Sequence, residues 1–281
     1  NGSTKITQSE ALISNATNVQ DQKNNTETYN LNYKVDFEKE GHNLEFEATY
    51  SKTDNPEDAI NRDFTRFAND IDYKLLNYTN EIENDRNNTL INIDYTNQVS
   101  KKGKLELGIE YRTNKTDNRN ISTQDEYNSD GSLSPYKNSL FNYDRKILSS
   151  YVNYDHNFGH VTMQLGTRIE QLNVEADFYR TKENQVKPYT DSQFNAYPSA
   201  FFTYSPSEKN QWQVSYSRRV DRPSIEQVNP IREWSTPIIT SIGNPTLVPQ
   251  FTNSFELNYT RQIKNGSLTA GTFYRKINNV I

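Results

Sequence analysis

The sequence lacks several residue types, and their absence excludes whole classes of structure. Its 281 residues include no cysteine, one methionine, three histidines, and only ten residues each of glycine and proline. Without cysteine the chain has no disulfides and no thiolate metal sites. No apolar run approaches the ~18 residues of a transmembrane helix, so insertion into a membrane as helices is excluded.

The residues that are abundant point to ordered segments. Hydrophobic residues make up 32% and the mean hydropathy is -0.98, which is typical of a disordered chain. However, the 19 tyrosines and 13 phenylalanines argue against disorder, because disordered chains are poor in aromatic residues. The net charge of -5 is dispersed in both signs, which argues against a nucleic-acid partner. The composition indicates aromatic segments joined by polar loops.

Apolar and polar residues alternate from residue 27 onward, which is the pattern of β-strands with two different faces. In 29–38 every odd residue is apolar or aromatic, and every even residue is polar or charged. The pattern recurs at 44–50, 91–96, 105–111, 161–169, 202–216 and 255–274. It predicts about ten strands in five hairpins.

The connections between these strands are alternately short and long. The short ones are turns at 39–42, 100–103, 157–160, 205–210 and 264–266. The long ones are polar and cover roughly 51–87, 113–146, 180–193 and 221–250. A short helix is considered only for 58–70, inside the first long loop. Short turns at one end and long loops at the other are typical of outer-membrane barrels, whose strands need ~9–11 residues to cross.

The sequence therefore predicts an all-β fold, an antiparallel transmembrane β-barrel with short periplasmic turns and long extracellular loops. Residues 1–26 are expected to be an extended lead-in or loop, and 27–281 a partial barrel. The soluble alternative is a β-sandwich with the apolar face as its core, but sandwiches have short loops at both ends. Aromatic residues near strand ends fit the girdle of a barrel: Tyr50, Tyr95, Tyr111, Tyr154, Tyr204, Trp212 and Tyr259.

The segment 197–259 carries a series of motifs in a specific order. They are Pro198–Ser199, Tyr216–Arg219, Arg222–Pro223, Asn229–Pro230, Gly243–Pro245 and Leu247–Pro249. In these elements the chain strongly resembles the TonB-dependent receptor-like outer-membrane β-barrel family of Bacteroidota. Further upstream the resemblance is looser and rests on 103–112 and the hairpin at 27–50.

The resemblance implies a barrel of about 22 strands, filled by an N-terminal plug domain with a TonB box that couples it to inner-membrane energy. Nothing in this chain resembles the plug or the box, so the plug domain and the C-terminal strands are expected outside it. The predicted function is nutrient uptake by an outer-membrane receptor. Two alternatives stay open: a partially built barrel held by assembly or secretion machinery, and an all-β surface binding module.

The resemblance also implies a location and a set of partners. The protein is expected in the cell outer membrane of a Gram-negative bacterium, in contact with lipid and lipopolysaccharide. The TonB complex would engage it through the plug, and a surface lipoprotein or the assembly machinery is a further candidate partner. Siderophores, oligosaccharides, peptides and cobalamin all stay open as substrates.

No catalytic motif stands out, so the sequence predicts no enzyme activity, no cofactor and no metal. His156 and His160 flank a tight turn and are interpreted as polar residues at the aqueous rim rather than as metal ligands.

Binding residues are expected in the long loops, because binding concentrates on loops carried by a rigid scaffold. The loop 221–250 holds Arg222, Arg232 and Trp234. Arginine and tryptophan together suit recognition of glycans, peptides or anionic chelates. Equally, these three residues would pack the loop against its neighbours or the plug.

Two adjacent arginines must face opposite sides of their strand, because side chains alternate. Arg219, like Arg168, falls on the polar face and is predicted to line the lumen or to contact the plug. Arg218 falls on the apolar face together with Trp212, and both are predicted to mark the membrane boundary. A charge costs only ~0–1 kcal/mol near the interface, against ~2–4 kcal/mol at the midplane.

Overall fold

The alternating segments form a single antiparallel sheet of twelve strands. A computed structural model describes residues 12–67, 73–123, 126–127, 133–134, 138–180, 185–186, 188–230, 233–236, 239–241 and 243–280. From β2 (Asn25–Asp36) onward, long strands of the sheet that follow one another in the chain lie side by side, so the sheet is an up-and-down wall.

The wall has the strand order β1–β3–β4–β5–β8–β9–β11–β12–β15–β16, with β2 beside β3 and β10 beside β9. The first half comprises β1 (Leu12–Gln22), β2 (Asn25–Asp36), β3 (His42–Phe67), β4 (Tyr73–Ser100) and β5 (Gly103–Ser122). The second comprises β8 (Ser139–Asn157), β9 (Val161–Arg180), β10 (Gln185–Val186), β11 (Tyr189–Ser207), β12 (Asn210–Asp221), β15 (Gln250–Ile263) and β16 (Gly266–Asn278). Two small hairpins lie apart from the wall: β6 (Glu126–Tyr127) with β7 (Leu133–Ser134), and β13 (Glu233–Thr236) with β14 (Ile239–Ser241).

The predicted hairpins and tight turns are confirmed. The turns span 37–41, 101–102, 158–160, 208–209 and 264–265. The expected lead-in contributes a strand, because β1 and β2 both pair with β3 and together occupy one edge of the wall. At the break between them, the Lys23 N–H donates to the Pro56 carbonyl at 3.0 Å.

The prediction of a long loop over 51–87 is wrong. β3 and β4 stay paired from His42–Asn97 to Arg66–Tyr73, so most of this segment is strand, with β1 and β2 beside β3 and β5 beside β4. The short helix considered at 58–70 is wrong as well, since 58–67 belong to β3 and 68–70 lie outside the described residues. The loop was predicted because the segment shows no alternation of apolar and polar residues. Such alternation is absent from a strand with water on both sides, and the backbone hydrogen bonds of a strand form without an apolar face.

The two faces of the wall differ as the alternation predicts. Apolar side chains of the outer face are exposed, among them Ile93, Ile109, Leu148 and Val214. On the inner face Ser149 and Glu170 are buried. A soluble sandwich would bury the apolar set, so this exposure fits a wall whose apolar side meets lipid.

The alternation reverses its phase in the outer part of β9. Up to Ile169 the apolar residues point to the outer face, where Leu165 and Ile169 are exposed, and Arg168 and Glu170 lie on the inner face. Beyond that point the buried inner residues are apolar, namely Leu172, Val174 and Ala176. The outward residues between them are polar, namely Asn173, Glu175 and Asp177. A polar outer face is expected where a strand leaves the lipid, and an apolar inner face needs a cover.

The cover is the loop between β12 and β15, which folds back over the inner face. Residues 222–230 and 243–249 are here named the inward loop. Its Val228 is buried against Phe141 of β8 and Ala176 of β9. The loop contains α1 (Ile225–Val228), the single helix of the described residues, and no helix in that part of the chain is long and apolar enough to cross a membrane.

Candidate functional site

A chain of ion pairs lies on the inner face, in the middle of the wall. Arg168 donates to Glu110 and Glu170, at 2.7 Å each, and to the Ser149 hydroxyl at 2.7 Å. Arg222 of the inward loop pairs with the other carboxylate oxygen of Glu170. These residues, with Arg112 on Glu110 at 3.3 Å, form the inner-wall network. Its centre is Glu170, whose side chain is only 7% exposed and therefore needs its two cationic partners.

The sheet register explains how this network assembles. Glu110 of β5 lies opposite Ser149 of β8, and Ser149 lies opposite Glu170 of β9. Arg168 and Glu170 are two residues apart on one strand, so both face inward. Because Ser149 is small, the Arg168 side chain crosses β8 above it and reaches Glu110 two strands away.

A hollow of about 250 Å³ lies on the turn side of the network. Its lining residues are Tyr151, Asn153, Thr167, Arg168, Tyr197 and Ser199. Tyr151 lies across Gly108 and donates to Asp94 at 2.6 Å. A Cβ on Gly108 would stand 2.1 Å from the Tyr151 ring, so only glycine permits this position.

A smaller cavity, of about 30 Å³, lies on the loop side of the network, between the wall and the inward loop. The wall contributes Tyr143, Arg145, Leu172, Val174, Tyr189 and Asp191, and the inward loop contributes Arg222, Pro223, Val228, Pro245, Leu247 and Pro249. The Arg222–Glu170 pair therefore stands between the two spaces.

Local sequence fixes the shape of the inward loop. The Ser224 hydroxyl accepts from the Gln227 N–H, and the Gln227 side chain accepts from the Ser224 N–H, which is a capping box. The helix ends at Asn229, since a residue before proline disfavours the helical conformation. Gly243 then packs on this turn, where its N–H donates to the Asn229 carbonyl at 2.8 Å.

The inward loop also reaches across the wall to β4. Arg86 donates to Glu226 at 3.3 Å, and both side chains are about half exposed. Burial tends to raise the pKa of Glu226, but its own backbone N–H, the Ser224 hydroxyl and Arg86 together hold it below its usual value. The carboxylate form, and with it this tie, is therefore favoured.

The structure places the predicted binding residues apart from one another. Arg222 lies in the inner-wall network, whereas Arg232 lies outside the described residues. Trp234 lies in β13, opposite Thr240 of β14. Of the two predicted lumen residues, Arg168 is central to the network, and Arg219 is exposed opposite Thr252.

The two predicted boundary residues lie at different depths of β12. Trp212 is near the tight turn and packs on Tyr259, with ring centroids 4.3 Å apart. Arg218 lies in the outer half, with its guanidinium 4.9 Å from the Phe251 ring centroid. Its Nε is buried and has no hydrogen-bond acceptor among the described residues. The boundary role of both residues stays a prediction.

The two histidines beside the tight turn have different hydrogen-bond partners. His156 shares a hydrogen bond with the Tyr154 hydroxyl, and His160 with the Ser205 carbonyl, at 2.9 Å each. Within the described part of the chain, no three histidine, aspartate or glutamate side chains are grouped as metal ligands.

Two features of the candidate site were missed by sequence reasoning. One is the buried apolar patch of the inner face, and the other is Arg145 in the smaller cavity. The reversal of the alternation after Glu170 was the available signal, because it marks where the strand leaves lipid and turns an apolar face inward. Arg145 lies in the corresponding outer part of β8, where Arg145 pairs with Val174.

An antiparallel wall with exposed apolar residues outside and an ion-pair network inside is the wall of an outer-membrane β-barrel. The chain belongs to the outer membrane protein beta-barrel family, whose profile matches residues 35–281. This membership, together with the structural likeness below, indicates the outer membrane of a Gram-negative bacterium. A comparison with curated protein sequences gives no match.

Solved structures with a similar fold are uptake, import and siderophore receptors. The ferric yersiniabactin uptake receptor FyuA from Yersinia pestis matches with a TM-score of 0.55 and 8% identity, over 96% of this chain and 50% of the receptor. The ferric-catecholate import receptor Fiu from E. coli, in its closed form, matches with 0.55 and 14%, over 91% and 41%. The siderophore receptor PiuA from Acinetobacter baumannii matches with 0.51 and 14%, over 92% and 47%. The chain thus spans half or less of each receptor, and identities this low show the fold alone.

Proposed function

We propose that the chain is part of an outer-membrane receptor that binds a nutrient outside the cell and passes it inward with energy supplied through TonB. The observation that carries this proposal is the inner-wall network, which has a solvent-accessible hollow on one side and a loop-covered cavity on the other. A wall that only anchored a protein in lipid would need no such polar interior.

We further propose that the inward loop is a movable element on the path of the nutrient. Arg222 connects the loop to Glu170, and Glu226 connects it to Arg86 of β4. Breaking the pair at Glu170 would join the hollow and the cavity into one passage. We therefore assign Arg222 to the path, with Arg232 and Trp234 as outer contacts of the nutrient.

The remaining partners follow from the edges and the outer face of the wall. β16 and β2 are edge strands, and open edges are costly in lipid because their backbone groups are unpaired. We propose that further strands of the receptor pair with them and that a plug domain contacts Arg168 and Arg219. On the outer face, Trp212 and Arg218 would contact lipid and lipopolysaccharide.

The proposal is tested by measuring accumulation of labelled nutrients in cells that carry or lack the full-length gene. The panel covers a ferric siderophore, an oligosaccharide, a peptide and cobalamin. We expect the deletion to abolish accumulation of one class, restoration by the wild-type gene, and loss of that restoration when the inner membrane is de-energised. Equal accumulation of all four classes in both strains would refute the receptor function.

A further inference from the structure

Arg145 lacks a carboxylate partner within the part of the chain that the structure describes. Its Nε and Nη2 both donate to the Asn114 side-chain oxygen, at 3.2 and 2.9 Å, which is a neutral acceptor. Its strongest electrostatic neighbour is the Tyr143 hydroxyl, which also hydrogen-bonds to it, and the next two, Arg222 and Arg112, are both cationic. Those two are matched by Glu170 and Glu110 within the inner-wall network. Among the described residues, no carboxylate compensates the charge of Arg145.

A second donor without an acceptor among the described residues borders the same cavity. The Nε of Arg222 is buried and has no acceptor among the described residues, although its Nη2 pairs with Glu170. The one carboxylate lining the cavity is that of Asp191, which accepts from Gln193 at 2.6 Å. Among the described residues, this carboxylate forms no ion pair with either arginine.

The cavity between these groups has a volume of about 30 Å³ and an apolar rim formed by Leu172, Pro245 and Leu247. This volume admits about two waters, or a group of the size of a carboxylate. Burying an uncompensated guanidinium is costly, and an oxyanion that accepts hydrogen bonds from two arginines removes that cost. Planar guanidinium groups suit carboxylate and phosphate oxygens because they donate in parallel pairs.

We propose that this cavity binds an oxyanionic group of the nutrient, a carboxylate or a phosphate, between Arg145 and Arg222. This inference rests on the proposed receptor function and specifies the substrate class. The inward loop, with Pro245 and Leu247, closes over the bound group. Glycans and peptides without a negative charge would lack this contact.

The test measures thermal unfolding of the full-length receptor in detergent while inorganic phosphate or citrate is titrated, with sodium chloride at equal ionic strength as reference. We expect at least one of the two anions to raise the melting temperature saturably above the chloride reference. Phosphate and citrate separate the two oxyanion sources. Arg145→Gln should weaken the binding about tenfold or more, the loss expected for one charge-assisted contact. The matched control is Arg119→Gln, which removes the same charge from an exposed residue of β5 that pairs with Glu83.

Two results would overturn the proposal. One is a wild-type receptor that responds to neither anion more than to chloride, a result that needs no variant to fold. The other is a folded Arg145→Gln receptor that binds as tightly as the wild type. Nutrient accumulation in cells is a separate readout. Accumulation without anion binding refutes only the oxyanion site, and anion binding without accumulation refutes only the uptake function.

Discussion

The carboxylate of Glu170 is the group on which the inner-wall network depends, and Glu170→Gln removes its charge at almost constant volume. The wild-type side chain is 7% exposed and accepts from Arg168 at 2.7 Å and from Arg222. In the variant these two guanidiniums, which are 31% and 19% exposed, face a neutral amide beside the uncompensated Arg145. Removing one partner of a buried ion pair costs ~3–5 kcal/mol. We expect a cost near the lower end, about 3 kcal/mol, because Arg168 keeps Glu110.

The assay is denaturant unfolding of the full-length protein refolded in detergent micelles or lipid vesicles. The matched control is Glu256→Gln on β15, where a 38% exposed carboxylate lies 3.7 Å from Arg275. Such exposed pairs contribute ~0–1 kcal/mol, so the control should unfold almost as the wild type does. If Glu170→Gln and Glu256→Gln lower the free energy of unfolding equally, the buried network does not have the role assigned to it.

Three further predictions concern the hollow and the inward loop. Gly108→Ala places a methyl group 2.1 Å from the Tyr151 ring, so we expect a loss of ~1–3 kcal/mol in the free energy of unfolding, measured as above. A stability equal to that of the wild type would contradict the close approach. Gly243→Ala introduces a Cβ 2.5 Å from a backbone oxygen of the inward loop, and we expect faster proteolysis between 222 and 249. Gly266→Ala, where nothing lies within 4 Å, is the control and should be cleaved at the wild-type rate. The pKa of Glu226 is lower in the folded protein than its unfolded value of ~4.3. The ion pair of Glu226 with Arg86 therefore stabilises the loop fully above pH ~4.3, and this stabilisation is lost as the pH falls through the folded pKa. Amide exchange of the loop should therefore quicken on acidification, and Glu226→Gln should remove that pH dependence.

The strands in lipid could be predicted from the sequence because the bilayer imposes the alternation. Ile93, Ile109 and Leu148 are apolar because they face outward in the membrane, and the residues between them are polar because they face inward. Tight turns also leave local signals, as at Gly41, whose φ of 70° favours glycine. These constraints act between neighbouring residues, so a single sequence reveals them.

The outer ladders could not be predicted in the same way. The pairing of Asp54 with Asp85 and of Asp85 with Asp117 joins like charges across neighbouring strands, which pair propensities disfavour. Backbone hydrogen bonds that continue from the membrane part hold these strands together. Polarity alone therefore suggested a loop where the chain forms a ladder.

The candidate site was predicted in part. Arg222, chosen as a loop residue with the chemistry of a binding contact, lies in the network, and Arg168 is at its centre. The partners of each depend on which strands become neighbours. Glu110 and Glu170 are 60 positions apart in the chain and only two strands apart in the wall. No local pattern specifies such a pairing.

The length of the β3–β4 hairpin determines how far the protein reaches from the cell. Its strands have 26 and 28 residues, which at ~3.3 Å per residue gives about 85–90 Å along the strand. With a tilt of ~45° and an apolar band of ~25 Å, about 30 Å or more stands clear of the hydrocarbon. In a receptor whose long hairpins face outward, this hairpin would extend into the saccharide layer of the cell surface. A phage, an antibody or a neighbouring cell would touch it well before any molecule arrives at the inner wall.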